Sequence, residues 1–351
     1  MLKIYKAKLG VSILFLSILT LTLTLPVCSS TRALASQESS KSAVVEGAKK
    51  EGKLMWYTSL SAKDAEMLLA AFKKRYPLIK TDLFRTGAGN LLTKIQAEVR
   101  YKRYDSDVIM TNGISAEILK KEHILESYVS PELTSYQAGF KDPEGYWADV
   151  YILLNVIGYN TKMVSLKEVP RQWTDLLNPR WKGKMSMDTK AYEWLYGIIN
   201  LMGQEKGTEF IKALATQNIS FRTGRSLNCQ LLAAGESQIG IALWNQRLEE
   251  MKAQGAPVDW LAIEPVITES VRIGLTAHAP HPNSAKLFID FVLSREGQSI
   301  VAKTYRVPVR DDVEAIVPRL KKGLKLMGSG YMQVEGYNKY VKLYNDSLMH
   351  K

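Results

Sequence analysis

Thr86-Gly87-Ala88-Gly89-Asn90 and Arg222-Thr223-Gly224-Arg225-Ser226 are the two stretches of this sequence best suited to chemistry with a small ligand. Each stands where a strand pattern gives way to a helix pattern. A helix N-terminus presents unpaired N–H groups and the positive end of its dipole, a combination that suits an anion. Glycine at such a start lets the backbone approach a ligand closely. Arg222 and Arg225 in the second stretch can clamp a carboxylate, phosphonate or sulfonate through paired N–H donors. Plainer readings stand beside these: a capped tight turn for the first stretch, solvated surface arginines for the second. Other chemistry finds little support. The four histidines (His123, His278, His281, His350) are scattered, and none pairs with a cysteine at zinc-binding spacing. Cys229 flanks Leu231 and Leu232 in a helical pattern, as a small core residue does. No nucleophile elbow is present, so neither an enzyme nor a cofactor is expected.

The elements that must carry these stretches alternate. Leu54-Met55-Trp56-Tyr57 is an apolar run ending at Thr58-Ser59, followed by a helix with Ala65, Leu68, Leu69 and Phe72 on one face. Ile79, Thr81 and Leu83 alternate as a strand ahead of Thr86, and the next helix turns Leu91, Leu92, Ile95 and Val99 inward. Asp107-Val108-Ile109-Met110 is a third strand, ending at Thr111-Asn112. This βαβαβ order predicts a parallel sheet, whose ligands bind beyond the carboxyl ends of the strands. An extended stretch from Trp147 to Tyr159 interrupts the pattern. It resumes with strands ending at Asp188-Thr189, Arg222-Thr223 and Trp244-Asn245. A second extended segment, Val266 to Ala277, precedes a helix with Ala285, Phe288, Ile289 and Val292 inward. The expectation is an α/β protein of two lobes, joined by two extended crossings that act as a hinge, with a ligand cleft between them.

Composition agrees with a globular chain: 351 residues, 46% hydrophobic and 23% charged. Lys3, Lys6 and Lys8 precede an apolar run, Val11 to Val27, and then Ala33-Leu34-Ala35, a small-x-small cleavage site. Residues 1–35 are therefore predicted to be a signal peptide. Their loss takes Lys3, Lys6, Lys8 and Arg32 but no acid, and moves the formal net charge from +12 to +8. The remaining Lys and Arg are mixed with acids, unlike the concentrated face of a nucleic-acid binder. The alternative of lipid attachment at Cys28 is opposed by the bulk of Val27 beside it.

Several pieces together resemble the extracellular solute-binding proteins of ATP-driven (ABC) importers, in the branch that contains the periplasmic ferric-iron binders. They are Phe84-Arg85-Thr86-Gly87-Ala88-Gly89-Asn90-Leu91-Leu92, Asp105-Ser106-Asp107-Val108, Val156-Ile157-Gly158-Tyr159-Asn160-Thr161, Trp173-Thr174-Asp175-Leu176-Leu177 with Trp181-Lys182-Gly183-Lys184, Ala234-Gly235-Glu236, and Ala279-Pro280-His281-Pro282-Asn283 through Phe291. The resemblance spans nearly the whole chain after the leader. It implies a type II periplasmic-binding-protein fold, with lobe 1 from 36–150 plus 270–351 and lobe 2 from 151–269. It also implies a periplasmic, monomeric binding protein that delivers its ligand to an ABC permease and has no nucleic-acid partner.

In that family the strand ends of both lobes converge on the ligand. The first lobe then offers Thr58, Ser59, Thr86, Gly87, Ala88, Gly89 and Asn112. The second offers Arg222, Thr223, Arg225, Ser226, Asn245 and Arg247, with Asp188 as the only nearby acid. Three arginines against one aspartate predict a positive cleft and an anionic ligand. Ferric binders carry two adjacent tyrosines where this chain reads Arg247-Leu248, so bare Fe³⁺ is not expected. Tyr151, Tyr192 and Tyr196 are the residues left to ligate a metal or to pack in the core, so a chelated metal or ferric iron on unusual ligands remains the alternative. A secreted enzyme on the same fold is another. Trp194 and Trp244 read either as core or as a wall for a flat or apolar part of the ligand.

Overall fold

The computed structural model describes residues 42–327 and 334–349. The signal-peptide reading of 1–35 and the question of Cys28 lie outside the described residues. A helix, α1 (42–51), precedes β1 (Lys53–Thr58), α2 (Ala62–Arg75), β2 (Lys80–Arg85), α3 (Ala88–Arg100), β3 (Val108–Asn112), α4 (Gly113–Lys121) and the short β4 (Leu125–Glu126). The long β5 (Ala148–Asn160) leads to β6 (Met185–Asp188), α5 (Tyr192–Met202), α6 (Gln204–Ala215), β7 (Ser220–Arg222), α7 (Arg225–Ala234), β8 (Ile239–Trp244), α8 (Asn245–Ala253) and β9 (Val258–Leu261). Then come β10 (Thr268–Thr276), α9 (Pro282–Leu293), α10 (Arg295–Lys303), β11 (Val307–Pro308) and α11 (Val334–Tyr344).

Two parallel triples make up the sheet, β2-β1-β3 and β8-β6-β7. Each is bordered by one antiparallel strand: β10 beside β3, and β5 beside β8. β5 and β10 pair with each other as well, Thr268 opposite Leu154 and Ile273 opposite Ala148. One strand therefore serves both groups. The first half of β5 pairs with β10 and β11, and its second half with β8 and β9. All thirteen residues of β5 are buried, which explains why its sequence is apolar almost without alternation.

The helices cover the faces as their apolar spacing requires. Ala65, Leu68, Leu69 and Phe72 are the buried residues of α2, whose N-terminus is capped by Ser61 through its Oγ and the Asp64 N–H. Phe288 of α9 lies 4.9 Å from Trp56 and 5.1 Å from Phe72, joining α2, α9 and β1 in one core. A second core collects around Trp194, which meets Trp173 at 5.5 Å and 70°. Trp194 is fully buried and is a core residue, so it offers no wall to a ligand. Near the end of β8, Ala242 adopts φ +55° with no exposure, a left-handed residue inside a strand beside an irregular register with β5. Such strain costs about 1–3 kcal/mol, and it re-aims the end of the strand at Trp244 and Asn245.

The last helix does not stay beside α9 and α10. Tyr344 is fully buried in the core around Trp194, and Tyr340 stacks edge-on to Tyr196 of α5 at 4.5 Å.

Candidate functional site

The strand ends fall where the alternation places them. β1 stops at Thr58, β2 at Arg85, β3 at Asn112, β6 at Asp188, β7 at Arg222 and β8 at Trp244. What the side chains do there is divided. Thr58 is fully buried and its Oγ1 accepts the Leu60 N–H at 3.0 Å, while Arg85 Nε donates to the Leu60 carbonyl at 2.9 Å. Asn112 caps α4, its Oδ1 accepting the Ser115 N–H at 3.1 Å. These groups shape the turns. Thr86, Gly87, Ala88 and Gly89 are different: Gly87 is the N-cap of α3, no side chain caps it, and a Cβ at Gly87 or Gly89 would meet nothing within 4 Å. α3 thus begins with backbone N–H groups that no side chain caps, directly after Thr86, which like Ser59 is half-buried.

The second stretch repeats the device. Gly224 is the N-cap of α7 at φ +105°, a conformation that demands glycine, and again no side chain caps the helix. Asn228 folds the turn from below, donating through Nδ2 to the carbonyls of Arg222 at 2.8 Å and Gly224 at 3.0 Å. Arg222, Thr223 and Ser226 are exposed, and Thr223 Oγ1 lies 3.0 Å from Thr189 Oγ1.

Arg225 turns inward. It is 5% exposed, donates from Nη1 to Glu269 Oε2 at 2.7 Å, and lies over the Trp244 ring at 5.0 Å. Glu193 and Asp188 also act on its charge. Burial, then repulsion from Glu269, pushes the Glu193 carboxyl up to about 7, against the pull of Arg225. Tyr337 of α11 completes the group: its phenol is pushed up by burial and by Glu193, Glu269 and Tyr192, and its ring meets Tyr192 at 6.3 Å. Tyr344 donates to the Asp188 carbonyl and lies 5.3 Å from Tyr192.

This corrects the charge reading. Asp188 is not the only nearby acid, since Glu193 and Glu269 share the site and Glu269 takes up Arg225. Arg247 is not free either; its Nη1 pairs with Glu250 at 2.7 Å on its own helix. Asn245 is fully buried and holds β5, its Oδ1 accepting the Leu154 N–H at 3.1 Å. Tyr151 packs beneath Arg306, whose guanidinium lies 4.9 Å from its ring and pairs with Asp64 at 2.7 Å. Cys229 is buried, and burial pushes its thiol up to about 12, the state of an unreactive core residue. Among the described residues, no three His, Cys, Asp or Glu gather as a metal site would require.

Glu193, Glu269 and Tyr337 are the site residues that the sequence reading missed. Glu269 had a visible signal, the one acid in the extended segment Val266 to Ala277. Glu193 follows Tyr192 in the first turn of α5. Tyr337 carried no signal, because the return of α11 to α5 is a tertiary event.

Two parallel α/β triples bordered by shared antiparallel crossings, with helix N-termini at the strand ends, define the class: a two-lobed type II periplasmic binding protein with a ligand cleft. Solved structures agree. The iron-bound HitA of Pseudomonas aeruginosa superposes with a TM-score of 0.74 at 20% identity, covering 84% of this chain and 99% of that one. AfuA of Actinobacillus pleuropneumoniae, with fructose-6-phosphate bound, gives 0.73 at 26% identity, covering 86% and 99%. In sequence, an uncharacterized protein of Haemophilus influenzae is 27% identical over 275 residues, 74% of this chain and 78% of its own length. Residues 106–331 match the model of the bacterial extracellular solute-binding proteins, and the chain belongs to that family. It is the substrate-binding component of an ABC transporter. No described helix is long and apolar enough to cross a membrane.

Proposed function

We propose that this protein, exported behind a cleaved signal peptide to the periplasm, binds a small organic phosphate or phosphonate as a monomer and hands it to its permease. The lobes divide where β5 and β10 pass between the strand groups, near residues 150 and 270, and the ligand draws them together across these crossings. The observation that carries this reading is the pair of uncapped helix N-termini, Gly87 of α3 and Gly224 of α7, each opening beside hydroxyls and free backbone N–H groups. Arg222, exposed and bonded to its neighbour's carbonyl, stands ready to swing onto the same anion. AfuA, the solved relative at 26% identity, holds a sugar phosphate. Ferric iron is disfavoured by Arg247-Leu248 at the place of the ferric binders' tyrosine pair and by the burial of Tyr151 under a cation.

A thermal-shift screen with inorganic phosphate, fructose 6-phosphate, 2-aminoethylphosphonate and ferric citrate tests this. A ligand at 100 times its dissociation constant stabilises the fold by about 2.7 kcal/mol, readily seen as a rise in Tm. The organic phosphate or phosphonate is expected to give that rise. A shift with ferric citrate alone would sink the reading.

A further inference from the structure

Four polar atoms at the Arg225 cluster are buried without a hydrogen-bond partner among the described residues: Arg225 Nε and Nη2, Trp244 Nε1 and Glu269 Oε1. Arg225 is only 5% exposed, and its hydrogen bond to the Glu269 carboxylate leaves the rest of the guanidinium unmet. A buried donor or acceptor left unmet is costly, so such groups are kept for a partner that arrives from outside, or for water. The mixture of types selects the partner. An ammonium only donates; the acids draw it and it satisfies Glu269 Oε1, but it leaves Arg225 Nε and Nη2 and the indole N–H unmet. A carboxylate or phosphate only accepts; it satisfies Arg225 and Trp244 but faces Asp188, Glu193 and Glu269. A hydroxyl accepts and donates without charge, and two adjacent hydroxyls answer both sides at once. Tyr337, brought by α11 to Tyr192 and the Glu193–Glu269 pair, adds one more hydroxyl and a ring.

We infer that Arg225, Glu269 and Trp244, with Tyr337 beside them, form a subsite for adjacent hydroxyls on the uncharged part of the ligand, apart from the helix N-termini that take its anionic end. The inference rests on the organic-anion reading above and narrows the substrate to a hydroxylated phosphate or phosphonate. It also gives the C-terminal helix a place in recognition.

Calorimetric titration of the full chain with sorbitol 6-phosphate, n-hexyl phosphate, 2-aminoethylphosphonate and unphosphorylated sorbitol tests it, in the natural protein and in Trp244→Phe. That substitution keeps an aromatic ring and removes the indole N–H. Sorbitol 6-phosphate is expected to bind at least about 10-fold more tightly than hexyl phosphate, the worth of one to two met hydrogen bonds. In Trp244→Phe that ratio should shrink toward one, with Tm confirming an intact fold. Equal affinities for the two phosphates, or a ratio untouched by the substitution, would mean that the buried groups hold only water. Tighter binding of 2-aminoethylphosphonate than of sorbitol 6-phosphate would reassign the subsite to an ammonium and overturn the proposal. If every phosphate and phosphonate fails, the organic-anion reading fails. The subsite is then decided by sorbitol itself: binding weakened by Trp244→Phe supports it, and no binding ends it.

Discussion

Two buried arginines, each on a tryptophan and each facing carboxylates, behave as opposites. Arg272 of β10 is 1% exposed and lies 3.5 Å from the centre of the Trp147 ring. It donates to Asp149 Oδ1 at 3.1 Å, to the Gly113 carbonyl at 3.2 Å and to Glu117. Arg225 has the same surroundings in outline, with Glu269 and Trp244, but leaves two nitrogens unmet. Saturation is the difference. A saturated buried ion pair knits strand to helix and holds α4 against β10. An unsaturated one stores hydrogen-bonding capacity that only a ligand or water can use.

The largest expected effect is on Arg272. Arg272→Met takes the ion-pair guanidinium away from Asp149, which is fully buried, and should cost about 3–5 kcal/mol of stability, seen in urea unfolding. Arg225→Met should cost clearly less stability but weaken ligand binding by about 10- to 100-fold, seen by calorimetry. If the two variants lose stability equally and Arg225→Met keeps its affinity, the contrast between them is empty.

Acidity offers the next way to sharpen the comparison. Glu193 faces Asp188, Glu269, Arg225 and Tyr337, and is held up at about 7 against an ordinary 4.5. A raised carboxyl binds its proton more tightly in the folded chain than in the unfolded one. Its contribution to stability is therefore complete below about pH 4.5 and is lost as pH rises to about 7. Glu193→Gln should remove that decline between pH 4.5 and 7 in Tm measurements. Arg225→Met should push Glu193 higher still, extending the decline to more alkaline pH, because Arg225 is the charge that pulls it down.

The smallest effects separate the two helix starts. Gly224→Ala forces a side chain into φ +105° and should cost about 1–3 kcal/mol. Gly87→Ala meets no atom within 4 Å and keeps an ordinary extended φ of −65°, so stability should change by less than about 1 kcal/mol. A fall in affinity for organic phosphate in Gly87→Ala, at unchanged Tm, would then report crowding of the ligand itself. Unchanged affinity would move the anion away from α3.

Most of the scaffold was legible because its causes are local. Apolar residues at helical spacing along α2 and α9, and the mostly apolar sequence of β5, settle which faces are buried before any tertiary contact forms. Since parallel strands deliver their loops to one edge, the strand ends at Thr58, Arg85, Asn112, Asp188, Arg222 and Trp244 come from the same alternation. The glycines at 87 and 224 were legible too, as breaks at helix starts. The roles of the polar residues were not. Thr58, Asn112 and Asn245 carry side chains suited to a ligand, yet each gives its oxygen to a backbone N–H that only the folded turn or strand presents. Charge was settled by distance across the fold. Glu269 reaches Arg225 because β10 lies beside β5, and Tyr337 reaches Glu193 because α11 returns to α5 instead of remaining with α10. Residues 44, 76 and 144 positions apart meet in one cluster, and nothing in their spacing along the chain encodes a meeting that long-range burial alone enforces.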